Sequence, residues 1–140
     1  MAGRIAKVQW WAGRRGWVPV SELHRPTPIL RNAGSECSLT FDRELNRWVL
    51  VRSEGFGATT IVVSFAPKIE GPWSKPRFVY RPPESNRPDA FIYAAKGHPE
   101  LTGADLVVTY ATNTLSPHPL RTAEREPSLY YPRFVRFTFS

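Results

Sequence analysis

Two carboxylates are the residues of this sequence best placed to do chemistry. Glu36 precedes an apolar run, and Asp89 follows Pro88 directly before a second such run. Two carboxyl groups can hydrolyse a glycosidic bond when about 5 Å apart, with retention, or roughly 6.5–9.5 Å apart, with inversion. We predict Glu36 as the candidate catalytic carboxylate and Asp89 as a substrate-binding residue of the same pocket. The alternative for Glu36 is a solvated residue at a strand end, or a partner for an arginine.

Lys96 and His98 form a second candidate group. They are two residues apart, so a strand would place both side chains on one face. They follow the small residues Ala94 and Ala95, and we predict that both contact a bound substrate. Two residues are too few for a metal centre. The alternative for His98 is a hydrogen-bonded side chain that fixes the turn at Pro99.

The remaining reactive or aromatic side chains have simpler explanations. Cys37 is the only cysteine, so no internal disulfide forms, and a small buried residue is the expected role. The five tryptophans could stack on sugar rings. Trp48 and Trp73 are predicted to pack within a strand and a turn, whereas Trp11 and Trp17 are freer to meet a ligand.

Length and composition favour one all-β domain. The chain has 140 residues, of which 41% are hydrophobic and 22% charged, so a packed core is expected. Fourteen prolines and nine glycines divide it into short segments, and its five Trp, five Tyr and eight Phe favour strands. No apolar run approaches the roughly 20 residues of a membrane span.

Alternation and turn signals predict antiparallel meanders. Four strands are predicted between residues 34 and 80, at 38–41, 47–53, 59–65 and 77–80. The next unit has predicted strands at 91–96, 105–112 and 130–139, with a long loop at 113–127 before the last. A leading piece, with strands at 4–11 and 17–20, belongs to a preceding unit that ends with a connection to residue 33.

A repeat relates the two main units. Glu44 and Leu45 recur as Glu100 and Leu101, 56 residues later. Units of this length with four strands are typical of β-propeller blades. We therefore predict about two and a half blades in a single domain: residues 1–33 end one blade, 34–80 form a complete blade, and 81–140 form the last. Because a propeller closes with roughly four to eight blades, the chain is expected to be a fragment, to complete a ring by assembly as a homo-oligomer, or to form an open stack of sheets.

Three short motifs carry a resemblance to a known group. They are Gly71-Pro72-Trp73-Ser74, His98-Pro99, and the strand end Tyr110 to Asn113. From Val8 to Phe139 the sequence resembles the C-terminal part of bacterial five-bladed β-propeller proteins of unknown function, related to family 43-type glycoside hydrolases. The resemblance implies carbohydrate as the partner at the axial mouth. It adds Asn113 to the substrate-binding residues, and implies no cofactor apart from a central ion such as calcium held through His98.

The resemblance leaves activity open. In family 43-type enzymes the catalytic acids come mainly from early blades, which this chain lacks, so we expect the chain alone to be inactive. The group implies secreted full-length relatives, but residues 1–13 lack the long apolar core of a signal peptide. Localisation therefore stays open.

Two further functions compete with a hydrolase-like module. A non-catalytic carbohydrate-binding or protein-interaction module would need no carboxylate pair. The net charge of +7 also suits a polyanion-binding protein, although the basic residues are scattered and nucleic acid is not favoured. That function predicts one basic face, built from Arg4, Lys7, Arg14, Arg15, Arg133 and Arg136.

Overall fold

A computed structural model describes residues 7–31, 33–34, 36–54, 57, 60–101 and 105–138. Its strands are β1 (Gln9–Trp11), β2 (Trp17–Pro19), β3 (Cys37–Asp42), β4 (Arg47–Ser53), β5 (Ile61–Ala66), β6 (Arg77–Tyr80), β7 (Ala90–Gly97), β8 (Leu106–Thr114) and β9 (Arg133–Phe137). The α-helix α1 (Pro119–Arg125) precedes β9, and single 3-10 turns occupy Gly13–Arg15, Val20–Glu22, Pro83–Asn86, Pro99–Leu101 and Pro127–Tyr130.

The strands form three antiparallel sheets. β1 and β2 make an N-terminal hairpin, β3 to β6 make a four-stranded sheet, and β7 to β9 make a three-stranded sheet, each in sequence order. The sheets do not close into a ring within the described residues. This arrangement confirms the predicted all-β fold of antiparallel meanders, consistent with partial propeller blades.

Side-chain alternation along β4 explains how the four-stranded sheet is covered on two faces. Val49 and Val51 point to one face and belong to a buried core shared with the three-stranded sheet. Leu50 points to the other face and, with Leu39, lines a groove against the N-terminal segment. Burying an aliphatic side chain of this size contributes about 1.5–3 kcal/mol. The core between the two larger sheets contains Val49, Val51, Ile61, Val63, Ile92, Ala95, Val108 and Tyr110.

A bulge in β7 determines which side chains reach this core. Tyr93 pairs with Ala111 and Lys96 with Thr109, so two residues of β7 oppose Tyr110 alone. Ala94 has φ 54° at this point, the left-handed geometry of a bulge residue. The extra residue turns Ala95 into the core, where it is fully buried, and leaves Lys96 exposed. An unbroken strand would have aimed Lys96 inward with Ile92.

The predicted loop at 113–127 contains regular structure. β8 continues to Thr114, and α1 follows at Pro119–Arg125. The prolines of this segment suggest a break, but proline is well tolerated at the first helical position, where its missing N–H has no intrahelical partner. Leu120 to Arg125 then supplies good helix formers. None of the helix side chains is buried.

Candidate functional site

Glu36 lies at a bend directly before β3 and is exposed. It forms no ion pair with any residue that the structure describes. A nearby contact shows which part of the protein Glu36 adjoins. The hydroxyl of Ser38, two residues after Glu36, accepts a hydrogen bond of 2.6 Å from the backbone N–H of Gly97. The start of β3 therefore meets the end of β7, and Glu36, Lys96 and His98 share one edge of the paired sheets.

Asp89 lies at the opposite end of β7 and is held by Arg87. The guanidinium donates two hydrogen bonds, of 3.3 and 3.2 Å, to the carboxylate. These bonds lower the pKa of Asp89 below its ordinary value, against the opposing effect of burial. Its backbone carbonyl accepts bonds from Leu115 and Thr114. The side chain and main chain of Asp89 thus close the end of the β7–β8 ladder.

Asn113 shares that distant end. It pairs with Phe91 across the ladder, and its side-chain oxygen accepts a 2.7 Å hydrogen bond from the N–H of Thr114. β7 has eight residues, so its ends are roughly 25 Å apart. Because Glu36 lies at the other end, Asp89 and Glu36 do not form the carboxylate pair that glycoside hydrolysis requires.

His98 has both ring nitrogens engaged. Nδ1 lies 2.8 Å from Oε1 of Glu100, and Nε2 lies 2.7 Å from Oγ1 of Thr109. Its backbone N–H donates to Val107, and the 3-10 turn Pro99–Leu101 follows directly. A ligand would have to displace one of these partners to reach the imidazole. Lys96 stands exposed beside it, opposite Thr109.

A carboxylate that sequence reasoning missed is more completely held than any of these. Glu84 accepts hydrogen bonds of 3.0 Å from the Tyr110 hydroxyl and 2.9 Å from Nε of Arg133. Its side chain is only 14% exposed. Burial raises the pKa of Glu84, but its backbone hydrogen bond and these two partners together lower it below the ordinary value.

The same contacts act on Tyr110. Burial and the neighbouring Glu84 carboxylate raise the pKa of its hydroxyl well above the ordinary value. The hydroxyl therefore stays protonated and donates. Glu84 and Arg133 are 49 residues apart in sequence, so spacing alone gave no signal of this network. It ties the connection after β6 to β8 and β9.

An aromatic groove lies between the N-terminal hairpin and the four-stranded sheet. Its volume is about 380 Å³ and its lining is mainly apolar. We call this the tryptophan groove; it is lined by Trp10, Trp11, Trp17 and Trp73, with Gln9, Thr27, Leu39 and Leu50 among the neighbours. Trp10 is 46% exposed and Trp17 is 39% exposed.

The indoles of the groove are held in place. The rings of Trp11 and Trp17 are 5.6 Å apart and tilted by 54°. Nε1 of Trp17 donates a 2.6 Å hydrogen bond to the Glu70 carboxylate, and this bond lowers the pKa of Glu70 below its ordinary value. The groove thus combines fixed aromatic faces with polar groups at its rim.

The predicted single basic face does not form among the described residues. Arg133 and Arg136 are three residues apart in β9, where they pair with Tyr110 and Val107. Because side chains alternate between the two faces of a strand, these two arginines lie on opposite faces. Arg133 binds Glu84, and Arg136 lies 3.7 Å from Asp105. Arg4 lies outside the described residues. Alternation and ion pairing thus separate Arg133 from Arg136, which argues against the polyanion-binding alternative.

The described residues contain no group of three or more His, Cys, Asp or Glu side chains arranged to hold a metal ion. Within the same residues, no helix is long and apolar enough to span a bilayer.

Sheets of this kind place the chain in the class of all-β proteins with propeller-like antiparallel meanders. A family model described as a domain of unknown function (DUF4185) matches residues 2–114. The chain therefore belongs to this family. The match ends at the last residue of β8, so α1 and β9 lie beyond it. Comparisons with curated proteins and with solved structures give no match.

Proposed function

We propose that this chain is a carbohydrate-binding module of glycoside-hydrolase-like descent, and that the tryptophan groove holds the saccharide. The exposed indoles of Trp10 and Trp17, the second fixed by its hydrogen bond to Glu70, carry this proposal. One face of a sugar ring is made of C–H groups, which can pack against an indole, while its hydroxyls need polar partners. Gln9, Thr27 and Glu70 supply such partners at the rim.

Binding without hydrolysis fits the placement of the carboxylates. Glu36 and Asp89 lie at opposite ends of β7, and the Asp89 carboxylate is occupied by Arg87. The groove therefore offers aromatic contacts, whereas Glu36 and Asp89 do not pair. This combination supports a non-catalytic module over an enzyme complete in itself.

The test is titration calorimetry with neutral pentose and hexose oligosaccharides. Trp10→Ala and Trp17→Ala should each weaken binding by about tenfold, the effect of losing a buried aromatic contact. Phe134→Ala is the matched control, since Phe134 is 65% exposed on the three-stranded sheet, away from the groove. Its affinity should equal that of the unchanged protein. Equal losses in all three variants, or no binding of any oligosaccharide, would refute the tryptophan groove as a saccharide site.

A second candidate function is hydrolysis at the edge shared by Glu36, Lys96 and His98. The 2.6 Å bond from Gly97 to Ser38 favours it, because it brings these residues to one edge. In this hypothesis the chain is the C-terminal part of a five-bladed ring related to family 43-type hydrolases, and further blades supply the second carboxylate.

Release of reducing sugar tests this second function. The chain alone should show no release, and a longer protein that contains it should lose activity with Glu36→Gln while keeping its affinity for saccharide. Full activity in that Glu36→Gln variant would exclude Glu36 as the catalytic acid. Hydrolysis by the chain alone would contradict the non-catalytic module.

A further inference from the structure

A second cleft, of about 740 Å³, lies on the four-stranded sheet beside the turn Gly71–Ser74. We call it the arginine cleft. Its main side chains are Arg47, Phe65, Trp73 and Arg77, with Leu45 and Pro72 at the margin. It is larger than the tryptophan groove, and the Trp73 side chain borders both.

Strand register places the two arginines on the same face. Phe65 lies directly opposite Val49, and Arg77 lies directly opposite Val63. Both valines belong to the shared core, and Arg47 precedes Val49 by two residues, which gives it the same orientation. The face that buries these valines therefore also carries Arg47, two residues before Val49 on β4, and Arg77, beside Val63 on β6.

Neither arginine forms a close ion pair in the described part of the chain, although Asp42 lies directly opposite Arg47 in the β3–β4 pairing. Arg47 and Arg77 are exposed and form no ion pair there, unlike Arg87 and Arg133, which bind carboxylates. The residues that line the cleft include no acid. The Arg77 guanidinium carbon lies 5.8 Å from the centre of the Phe65 ring, a cation–π contact that restrains the side chain.

The turn Gly71–Ser74 holds the aromatic wall in place. Nε1 of Trp73 donates a 3.2 Å hydrogen bond to the carbonyl of Ile69. Gly71 has φ 105°, and a Cβ there would come 3.1 Å from the Trp73 nitrogen, so only glycine fits. Ser74 exchanges hydrogen bonds with the Phe65 backbone on β5, of 2.8 and 3.0 Å. The indole thus has a fixed orientation beside two unpaired cations.

We propose that the arginine cleft binds an acidic saccharide, with its anionic group between Arg47 and Arg77 and its ring against Trp73. The N–H groups of a guanidinium match the two oxygens of a planar carboxylate, and they can also donate hydrogen bonds to a sulfate ester. The anion-binding part of this proposal is independent of the proposed function. The saccharide part rests on the proposed function, because it assumes that a sugar ring packs against the fixed indole of Trp73.

Calorimetric titration with trigalacturonate, its fully methyl-esterified form and a sulfated heparin disaccharide tests the proposal. The ester keeps the sugar rings but removes the charge, so it should bind at least about tenfold more weakly than the free acid, as expected for loss of a charge-assisted hydrogen bond. Comparison of the free acid with the disaccharide decides between carboxylate and sulfate. Tighter binding of either anion than of the ester supports the cleft.

Variants locate the site. Arg47→Gln and Arg77→Gln should each weaken binding of the preferred anion by about tenfold. Arg121→Gln is the matched control, since Arg121 is exposed on α1 and its loss changes the net charge equally. An equal loss in the Arg121→Gln variant would show attraction to overall charge and overturn the proposal. Equal affinity for acid and ester, or no binding of either anion, would also overturn it.

The experiments distinguish failure of one proposed site from failure of the other. Trp10→Ala acts on the tryptophan groove, and should weaken neutral oligosaccharides while leaving the acidic ligand unchanged. Binding of the acidic ligand without any binding of neutral sugars would refute the tryptophan groove and support the arginine cleft.

Discussion

The four-stranded and three-stranded sheets share one core but differ in their outer faces. On β4, Val51 faces the core and is 1% exposed, and Leu50 on the opposite face is 5% exposed because the N-terminal segment covers it. On the three-stranded sheet, Val108 is fully buried while Phe134, on the outer face, is 65% exposed. Both sheets alternate in the same way. The outer-face residue Leu50 is therefore buried because a further segment covers it, whereas Phe78, on the same face at β6, is 63% exposed.

The largest expected loss of stability comes from a substitution in the shared core. Ile61→Ala removes a fully buried side chain, and should lower the free energy of unfolding by about 2–5 kcal/mol through lost burial and a residual cavity. Phe134→Ala, on the open face, should change it by less than about 0.5 kcal/mol. Urea denaturation measures both. Similar losses would mean that the outer face is covered in solution, and would remove the contrast between the sheets.

The two sheets approach each other closely at Gly97. A Cβ there would lie 3.1 Å from Val51 and 3.2 Å from Leu106. Gly97→Ala should therefore cost about 1–3 kcal/mol of stability by overpacking. Adding Val51→Ala makes room for the new methyl group. The double variant should therefore lose less stability than the sum of the losses in the two single variants. Strict additivity in urea denaturation would show that this contact does not limit the spacing of the sheets.

Glu84 joins the connection after β6 to the three-stranded sheet. Glu84→Gln should cost about 1–2 kcal/mol, because Arg133 and Tyr110 lose a charged acceptor. The folded pKa lies below the ordinary value of 4.5. The stabilisation is therefore fully present above that value and is lost as pH falls through the folded pKa.

Thermal unfolding of the unchanged protein and the variant, from neutral to acid pH, measures this effect. The gap in stability between them should narrow towards acid pH. Glu100→Gln is the control, since the Glu100 side chain is 64% exposed and exposed pairs contribute at most about 1 kcal/mol. A gap for Glu84→Gln that is constant with pH would contradict the charged network.

The smallest effect concerns the β7 bulge, a feature with no counterpart in β3. Ala94 has φ 54°, a conformation that alanine adopts at a cost and glycine adopts freely. Ala94→Gly should raise stability by about 0.5 kcal/mol. Asn46→Gly is the matched control in the β3–β4 turn, with φ 50°, and should gain less because asparagine tolerates this region. A loss of stability in the Ala94→Gly variant would show that the bulge is not strained.

The strands were predictable because alternation and turn residues act locally. Predicted strands at 47–53 and 77–80 coincide with β4 and β6. The turn before β4 follows from Asp42, whose carboxylate accepts a 2.9 Å bond from the N–H of Leu45. The helix at Pro119–Arg125 replaces part of the predicted loop, because the prolines there suggest a break although proline is tolerated at the first helical position.

The candidate sites were less predictable because they depend on distant pairs. Sequence spacing grouped Glu36 with Asp89 as similar strand starts, but the contact between Gly97 and Ser38, 59 residues apart, brings the start of β3 to the end of β7 and not to its start. The exposure of Arg47 and Arg77 in one cleft depends likewise on the registers of β4, β5 and β6.

The sequence by itself determined the all-β class, the antiparallel meanders and the turns, because these follow from periodicity and from the backbone preferences of single residues. Tertiary structure alone decided that Glu84 binds Arg133, that Lys96 faces solvent, and that the N-terminal segment covers Leu50 while Phe134 is exposed. The physical reason is that burial and ion pairing depend on which surfaces pack together. The alternation of residues within each sheet does not specify how two sheets pack against each other.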